Sequence, residues 1–216
     1  MQQVILFDLD GTLIDSTEAI LESFRVAFKK FGKKTPSKEA ILPQIGHPLF
    51  EMFVNLGVPR EEAQKYVDAY KESYRKIHTK KTVLLPQAKE AVEFAYNQGA
   101  KLGIVTTKTG KYSKELMKHF GLMEYFDVLI GSEDVTKHKP HPEPIERALE
   151  LMGVAKSDNI AMIGDTCMDM QAAKSAGIEA VAVPFIYTPI EELKVCSKVV
   201  KRCIFEAVSY ILNNKL

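Results

Sequence analysis

The stretch VILFDLDGTLIDS, residues 4–16, decides how this chain folds. Its first four residues are apolar without alternation, which is typical of a strand buried on both faces of a parallel sheet. If the strand continues, Asp8 and Asp10 point to the same side, about 7 Å apart along the backbone. Gly11 and Thr12 then favour a tight turn. Because two nearby carboxylates repel each other unless a cation lies between them, the stretch predicts a metal-dependent site.

The same stretch also has a purely structural interpretation. Asp and Gly end many strands, and Asp15 could simply cap the helix that follows. These thirteen residues leave both interpretations open, so the rest of the chain must decide.

Composition excludes several classes of function. The 216 residues carry 29 Lys and Arg against 28 Asp and Glu, a formal net charge of +1, which gives no sign of nucleic-acid binding. We find no basic leader with a cleavage site and no apolar run long enough to cross a membrane. We therefore predict no nucleic-acid partner, no membrane association and no obligatory protein partner. Cys167, Cys196 and Cys203 lack metal-site spacing and are predicted to stay reduced in a cytoplasmic protein.

The order of predicted elements indicates the fold class. No strand-like run lies between Ile14 and Thr82, where the pattern predicts helices over 17–31, 37–42, 48–56 and 60–80. Strands are predicted after that at 101–105, 128–130, 160–163 and 180–183, alternating with helices at 86–98, 112–120, 144–152, 168–176 and 204–212. Such alternation predicts a doubly wound, Rossmann-like α/β fold with a mostly parallel sheet.

The helical stretch interrupts this alternation, so we interpret it as an insertion. We predict an α/β catalytic core of residues 1–14 and 82–216, with an all-helical cap domain of residues 15–81 inserted into it. The residues Asp15 to Glu18 predict a capping box at the start of the first helix.

Polar residues also follow two of the later predicted strands. Thr106, Thr107 and Lys108 follow one, and Asp165 follows another, with Asp169 four residues further on. Because parallel strands end at the same edge of a sheet, these groups are expected near Asp8. Carboxylate oxygens are the ligands that Mg²⁺ prefers. Asp165 could instead cap a helix, Asp169 could complement a helix dipole, and Thr106 could merely end a strand.

Lys139 lies in a segment that prolines hold out of a helix. Pro140, Pro142 and Pro144 stiffen the chain around it, so its ammonium is predicted to be a fixed point charge.

Taken in order, these motifs resemble the haloacid dehalogenase superfamily of phosphohydrolases. The motifs are Asp8-Leu-Asp-Gly-Thr12, Thr106 after a strand, Lys139-Pro-His-Pro142 and Gly164-Asp-Thr-Cys-Met-Asp169. The helical insertion resembles that superfamily's cap, and Ile45 to Leu49 is similar to a cap loop of the phosphoglycolate phosphatase and bacterial pyrophosphatase subgroup. Thr107 departs from the pattern, since many members carry Asn there.

The resemblance implies a role for each matching residue. Asp8 corresponds to the nucleophile that becomes an aspartyl phosphate, and Asp10 to the general acid and base. The Asp8 carboxylate, the Asp10 backbone carbonyl and Asp165 correspond to the Mg²⁺ ligands, with Asp169 in support. Thr106 and Lys139 correspond to groups that hold phosphoryl oxygens, helped by backbone N–H groups near Leu9 and Thr107.

The implied function is an Mg²⁺-dependent phosphatase acting on a small phosphorylated metabolite, phosphoglycolate-like or pyrophosphate. His47, fixed between Gly46 and Pro48 in the predicted cap, is our candidate for a contact with the substrate, although it could also be an ordinary loop residue. Two alternatives stay open: a phosphosugar mutase of the same superfamily, and a signalling domain that accepts a phosphoryl group on Asp8.

Overall fold

The computed structural model describes residues 3–154 and 159–214, and a parallel sheet forms its centre. The strands are β1 (Val4–Phe7), β2 (Ile14–Asp15), β3 (Val83–Leu84), β4 (Lys101–Val105), β5 (Val128–Ile130), β6 (Ile160–Gly164), β7 (Glu179–Ala182) and β8 (Val199–Val200). Six of these pair in the order β5-β4-β1-β6-β7-β8, and every pairing in that sheet is parallel. The strands β2 and β3 form a separate antiparallel ribbon.

Helices follow the strands and fill the interval between β2 and β3. They are α1 (Thr17–Lys30), α2 (Lys38–Ile41), α3 (Leu49–Asn55), α4 (Arg60–Ile77), α5 (Ala88–Asn97), α6 (Gly110–His119), α7 (Glu143–Leu151), α8 (Cys167–Ala176), α9 (Ile190–Cys196) and α10 (Ile204–Asn213). The first four lie in the interval between β2 and β3. The predicted doubly wound α/β fold is confirmed.

Alternate residues of the central strand face opposite layers of helices. Ile5 and Phe7 of β1 belong to the apolar cluster that contains residues of α5, α6 and α10. Val4 and Leu6 belong to the cluster formed with α7 and α8. Both faces of β1 are therefore buried, which explains why its sequence shows no polar alternation.

The helices between β2 and β3 have an apolar cluster of their own. It is rich in aromatic rings: Phe24 lies 4.7 Å from Phe53 and 5.1 Å from Tyr70, measured between ring centroids. Tyr187, from the loop after β7, also joins this cluster. The separate cluster supports the division into a core and a cap at residues 15–81, which we keep as a proposal, with the β2–β3 ribbon as the connection.

The start of α1 differs from the prediction. Ser16 precedes the helix, but its side chain does not cap it. Its hydroxyl instead donates to the carboxylate of Asp10, while Asp15 Oδ1 accepts the Thr17 N–H at 2.9 Å. The predicted capping box is therefore wrong: the Ser16 side chain is held at the Asp10 carboxylate, so its oxygen does not accept a backbone N–H of α1.

The predicted reduced state of the cysteines is also wrong for one pair. Cys167, the first residue of α8, forms a disulfide with Cys196, the last residue of α9, whereas Cys203 is a free thiol. Spacing along the chain did not reveal this pair, because α9 was not predicted. Among the described helices, none combines the length and apolar character needed to cross a bilayer.

Candidate active site

A buried lysine joins two aspartates at the carboxyl end of β1. Asp8 directly follows the strand, and its Oδ1 accepts from Lys139 Nζ at 2.6 Å. The same ammonium donates to Asp169 Oδ1 at 2.6 Å and to the Val105 carbonyl at 3.0 Å, so all three of its hydrogens have acceptors. Although burial opposes the charge, the Asp169 and Asp8 carboxylates raise the pKa of Lys139. Lys139 is the fixed positive charge that the sequence predicts.

Three buried carboxylates meet beside that ammonium. Ligand oxygens of Asp8, Asp165 and Asp169 lie within 4.8 Å of one another. Burial raises the pKa of Asp8 to about 7, with Lys139 opposing this shift and Asp169 adding to it. Burial also raises the pKa of Asp165 well above its usual range, as do the neighbouring Asp8 and Asp169 carboxylates. Burial is the main cause of both raised pKa values, and the negative charge of the neighbouring carboxylates adds to it.

The surroundings of Asp165 fit a hard metal ion. Its Oδ1 accepts from Thr12 Oγ1 at 3.3 Å, whereas its buried Oδ2 has no hydrogen-bond partner among the described residues. A side chain at Gly11 would occupy this space, because an added Cβ would lie 2.2 Å from Asp165 Oδ2 and the Gly11 φ is +86°. An unpartnered carboxylate oxygen next to Asp8 is a suitable ligand for Mg²⁺.

Asp169 has a different environment from the other two carboxylates. Its Oδ1 is bound by Lys139, and its Oδ2 accepts from the Thr166 backbone N–H at 3.0 Å and from Thr166 Oγ1 at 2.6 Å. Thr166 and Asp169 form a capping box at the start of α8. Since both oxygens are engaged, Asp169 orients Lys139, which agrees with a supporting role.

Asp10 lies in a second polar cluster. The strand ends at Phe7 and does not continue through Asp10, so the expected shared side is not formed. Asp10 Oδ2 accepts from Lys108 Nζ at 2.8 Å, and its Oδ1 accepts from Ser16. The Lys108 ammonium also lies 4.7 Å from the ring centroid of Tyr74. Burial opposes the charge of Lys108, yet Asp10 and Tyr74 raise the pKa of Lys108.

Lys108 follows a predicted strand, but the sequence alone predicts no role for it. The available signal was its place as the third polar residue after β4, the strand that pairs with β1. Its partner could not be identified, because the turn after Asp8 directs the Asp10 side chain away from the acidic group.

A cavity of about 260 Å³ opens beside Asp10 and Lys108. The loop at 107–109 lines one side of it, and α4 and the loop carrying His47 line the other. His47 Nδ1 donates to the Gln44 carbonyl at 3.2 Å, so this hydrogen bond leaves Nε2 available. The structure therefore places the predicted cap residue His47 in the same cavity as Asp10.

The two predicted threonines have different contacts. Thr106 is buried at the end of β4, and its hydroxyl oxygen accepts the Lys108 backbone N–H at 3.1 Å. Thr107 Oγ1 donates to the Gly46 carbonyl at 2.9 Å. The Thr107 side chain thus connects the edge of the sheet to the loop that carries His47. Because this hydroxyl is engaged, a contact of Thr107 with phosphate would be made by its backbone N–H.

These groups can support transfer of an anionic group to Asp8. The Asp8 carboxylate lies close to the Lys139 ammonium and to the Asp165 carboxylate, which has an unpartnered oxygen. A further carboxylate, that of Asp10, lines the cavity. Phosphoryl transfer depends on such positioning and charge neutralisation.

Comparison with known proteins agrees with this geometry. The family model for haloacid dehalogenase-like hydrolases matches residues 5–183. Pyrophosphatase PpaX of Halalkalibacterium halodurans is 36% identical over 181 residues, which cover 84% of this chain and 83% of that protein. The structure of a predicted phosphatase from Clostridium acetobutylicum has a TM-score of 0.89 at 27% identity, covering 99% of this chain and 100% of the other.

A further solved structure shows the same fold at lower identity. It is described as a predicted phosphoglycolate phosphatase from Haemophilus somnus, with a TM-score of 0.86 at 24% identity, covering 97% of each chain. The resemblance noted in the sequence motifs therefore extends over nearly the whole fold. The chain belongs to the haloacid dehalogenase-like hydrolase family.

Proposed function

We propose that this hydrolase is an Mg²⁺-dependent phosphatase that cleaves a small phosphorylated metabolite through an aspartyl phosphate on Asp8. One observation carries the proposal: Asp8 lies close both to the Lys139 ammonium and to the buried carboxylate of Asp165, whose Oδ2 has no hydrogen-bond partner among the described residues. This arrangement gives a nucleophile, a cationic group for the phosphoryl oxygens and a metal ligand at one place.

In the first step, an Asp8 carboxylate oxygen attacks phosphorus, and the bond between phosphorus and the leaving oxygen breaks. Asp10 donates a proton to that leaving oxygen. Lys139 offsets negative charge on the transferring group, and the Thr106 hydroxyl with backbone N–H groups near Leu9 and Thr107 holds its oxygens.

In the second step, water attacks the phosphorus of the aspartyl phosphate. Asp10, which gave up its proton in the first step, accepts a proton from that water. The bond between phosphorus and the Asp8 oxygen breaks, so inorganic phosphate leaves and the Asp8 carboxylate is restored.

The proposed ligands for Mg²⁺ are the carboxylates of Asp8 and Asp165 and the backbone carbonyl of Asp10. The bound ion would neutralise negative charge on the phosphoryl group. In this structure both oxygens of the Asp10 carboxylate accept hydrogen bonds, from Lys108 and from Ser16, so Asp10 must take up a proton from solvent before it acts as the acid in the first step.

Several finer points remain proposals. Pyrophosphate is favoured by the relative named a pyrophosphatase, and phosphoglycolate by the fold neighbour described with that activity. The position of Asp10 beside a cavity argues against a signalling domain, because such a domain retains its phosphoryl group and needs no acid to protonate a leaving group.

The cytoplasmic location stays a prediction. The Cys167–Cys196 disulfide weighs against it, because disulfides are rare in that compartment.

The proposed activity is tested with a panel of phosphorylated metabolites in the presence of Mg²⁺. We expect many turnovers of inorganic phosphate release from pyrophosphate, phosphoglycolate or a related small compound. A single turnover that stops at one phosphoryl group per protein would instead support the signalling domain. An isomerised sugar phosphate without released phosphate would support the mutase.

We also predict that His47→Ala lowers activity mainly on the preferred substrate, because the phosphate-binding residues are untouched. A loss of about tenfold in kcat/KM, about 1.4 kcal/mol, is expected there, with a smaller loss on an aryl phosphate. Phosphate release from both substrates measures the difference. Equal losses on both, or no loss on either, would remove His47 from the substrate contact.

A further inference from the structure

One face of α4 forms a wall of the cavity beside Asp10. Gln64, Val67, Lys71 and Tyr74 all line it, and their spacing of three and four residues places them on one side of the helix. Lys71 and Tyr74 are therefore neighbours, one turn apart.

The Tyr74 side chain has an unusual environment. The residue is only 1% exposed, and its hydroxyl lies beside Lys108 and Ser16 but forms no hydrogen bond with any of the described residues. A buried hydroxyl without a partner is unfavourable, so structures rarely retain one. Because Tyr74 lines the cavity, a ligand there could supply the missing bond.

Lys71 supplies a charge to the same cavity. Its neighbours on α4 have acidic partners: Lys65 lies 3.5 Å from Glu62, and Lys76 lies 3.4 Å from Glu72. For Lys71, no carboxylate lies within ion-pair distance in residues 3–154 and 159–214. An unpaired ammonium beside apolar walls attracts an anion more strongly than one in bulk water.

The acidic groups of the cavity are already engaged. Asp10 is bound by Lys108 at 2.8 Å, and Glu133 accepts the Gly110 N–H at 2.9 Å at the start of α6. The positive end of that helix offsets part of the Glu133 charge. Neither carboxylate therefore compensates Lys71.

We propose that Lys71 and the Tyr74 hydroxyl bind a second anionic group on the leaving part of the substrate. The substrate class is then a phosphate ester or anhydride whose leaving group is itself an anion, either a carboxylate or a phosphate. This inference rests on the proposed phosphatase function and adds the residues that select among its substrates. The cavity of about 260 Å³ has room for such a group, since one water takes about 30 Å³ in the liquid.

The test compares three substrates in the full-length protein with Mg²⁺. Phosphoglycolate has a carboxylate in its leaving group, pyrophosphate has a phosphate, and phenyl phosphate has an uncharged ring. For Lys71→Met, we expect kcat/KM on the better anionic substrate to fall at least tenfold relative to kcat/KM on phenyl phosphate, mainly through a higher KM. Tyr74→Phe should shift the same ratio in the same direction by a smaller factor.

Two further variants distinguish the loss of positive charge at residue 71 from a general effect of the substitution on folding. Lys71→Arg keeps the positive charge and should keep most of the selectivity. Lys65→Met changes an exposed lysine on the same helix and should leave the ratio as in the wild type.

The outcomes separate the two proposals. A Lys71→Met ratio within twofold of wild type, or a wild type without preference for anionic leaving groups, overturns the subsite. If phosphate is still released from phenyl phosphate in either case, the proposed phosphatase function stands. If no variant and no substrate gives phosphate release, the proposed function fails instead.

Discussion

Replacing Asp8 by Asn is expected to lower kcat by about 10⁴-fold, about 5.5 kcal/mol in the barrier. The amide has nearly the shape of the carboxylate, but it cannot serve as the nucleophile that accepts the phosphoryl group. The Lys139 ammonium would still be held by Asp169, so the surrounding geometry should survive. Phosphate release on the preferred substrate with Mg²⁺ measures the loss. Activity within about tenfold of wild type would reject Asp8 as the nucleophile.

Thermal unfolding in chelator is the control for this variant. The pKa of Asp8 rises from 3.8 to about 7 on folding, so the folded state retains a proton that the unfolded state releases. The stability from this raised pKa is fully present below about pH 4 and is lost as pH rises through about 7. Asn does not titrate, so the variant should gain stability over wild type across that interval. Asp68→Asn, at an exposed position, serves as the matched control.

Removal of divalent cations is expected to abolish turnover, by about 10³-fold or more, about 4 kcal/mol. Without a cation, the Asp8 and Asp165 carboxylates repel a substrate that carries negative charge itself. Activity should return with Mg²⁺ and return poorly with Ca²⁺. Ca²⁺ accepts more oxygens at longer distances of about 2.3–2.6 Å, which would let Asp8 bind it with both oxygens and weaken the nucleophile.

Calorimetric titration with Mg²⁺ provides a readout that does not depend on turnover. Wild type should bind the ion, and Asp165→Asn should bind it at least tenfold more weakly, because the buried Oδ2 is replaced or reoriented. Asp127→Asn, whose carboxylate accepts the Leu102 N–H away from the acidic group, serves as the matched control. Full activity in excess chelator would be incompatible with the proposed metal requirement.

The sheet was predictable because its strands are short apolar runs buried on both faces. The boundaries of β1, β4 and β5 agree with the predicted residues, and Asp8 and Asp165 follow β1 and β6 as expected. Such runs can be recognised without knowing which strands they pair with, so a single sequence is enough to predict them. Lys139 was identified for a similar reason, since the prolines around it are a local signal.

Contacts that depend on distant segments were not predictable. Lys108 reaches Asp10 across 98 positions of the chain, and Ser16 turns from its helix to the same carboxylate. The helix α9 is short and carries three charged residues among seven, so its pattern was too weak to predict it. Missing α9 also hid the position of Cys196 next to Cys167. These contacts follow from the tertiary fold and leave no trace in local periodicity.

The central place of β1 has a consequence for how the protein acquires its structure on the ribosome. This strand precedes both of its neighbours in the chain: Val4 pairs with Lys101 and with Ile160, so both neighbours emerge much later than β1. The helical segment at 17–77 buries most of its aromatic rings against one another and can gain order earlier, because near contacts close smaller loops. We therefore expect Asp8, the earliest catalytic residue to be synthesised, to be among the last to meet its partners.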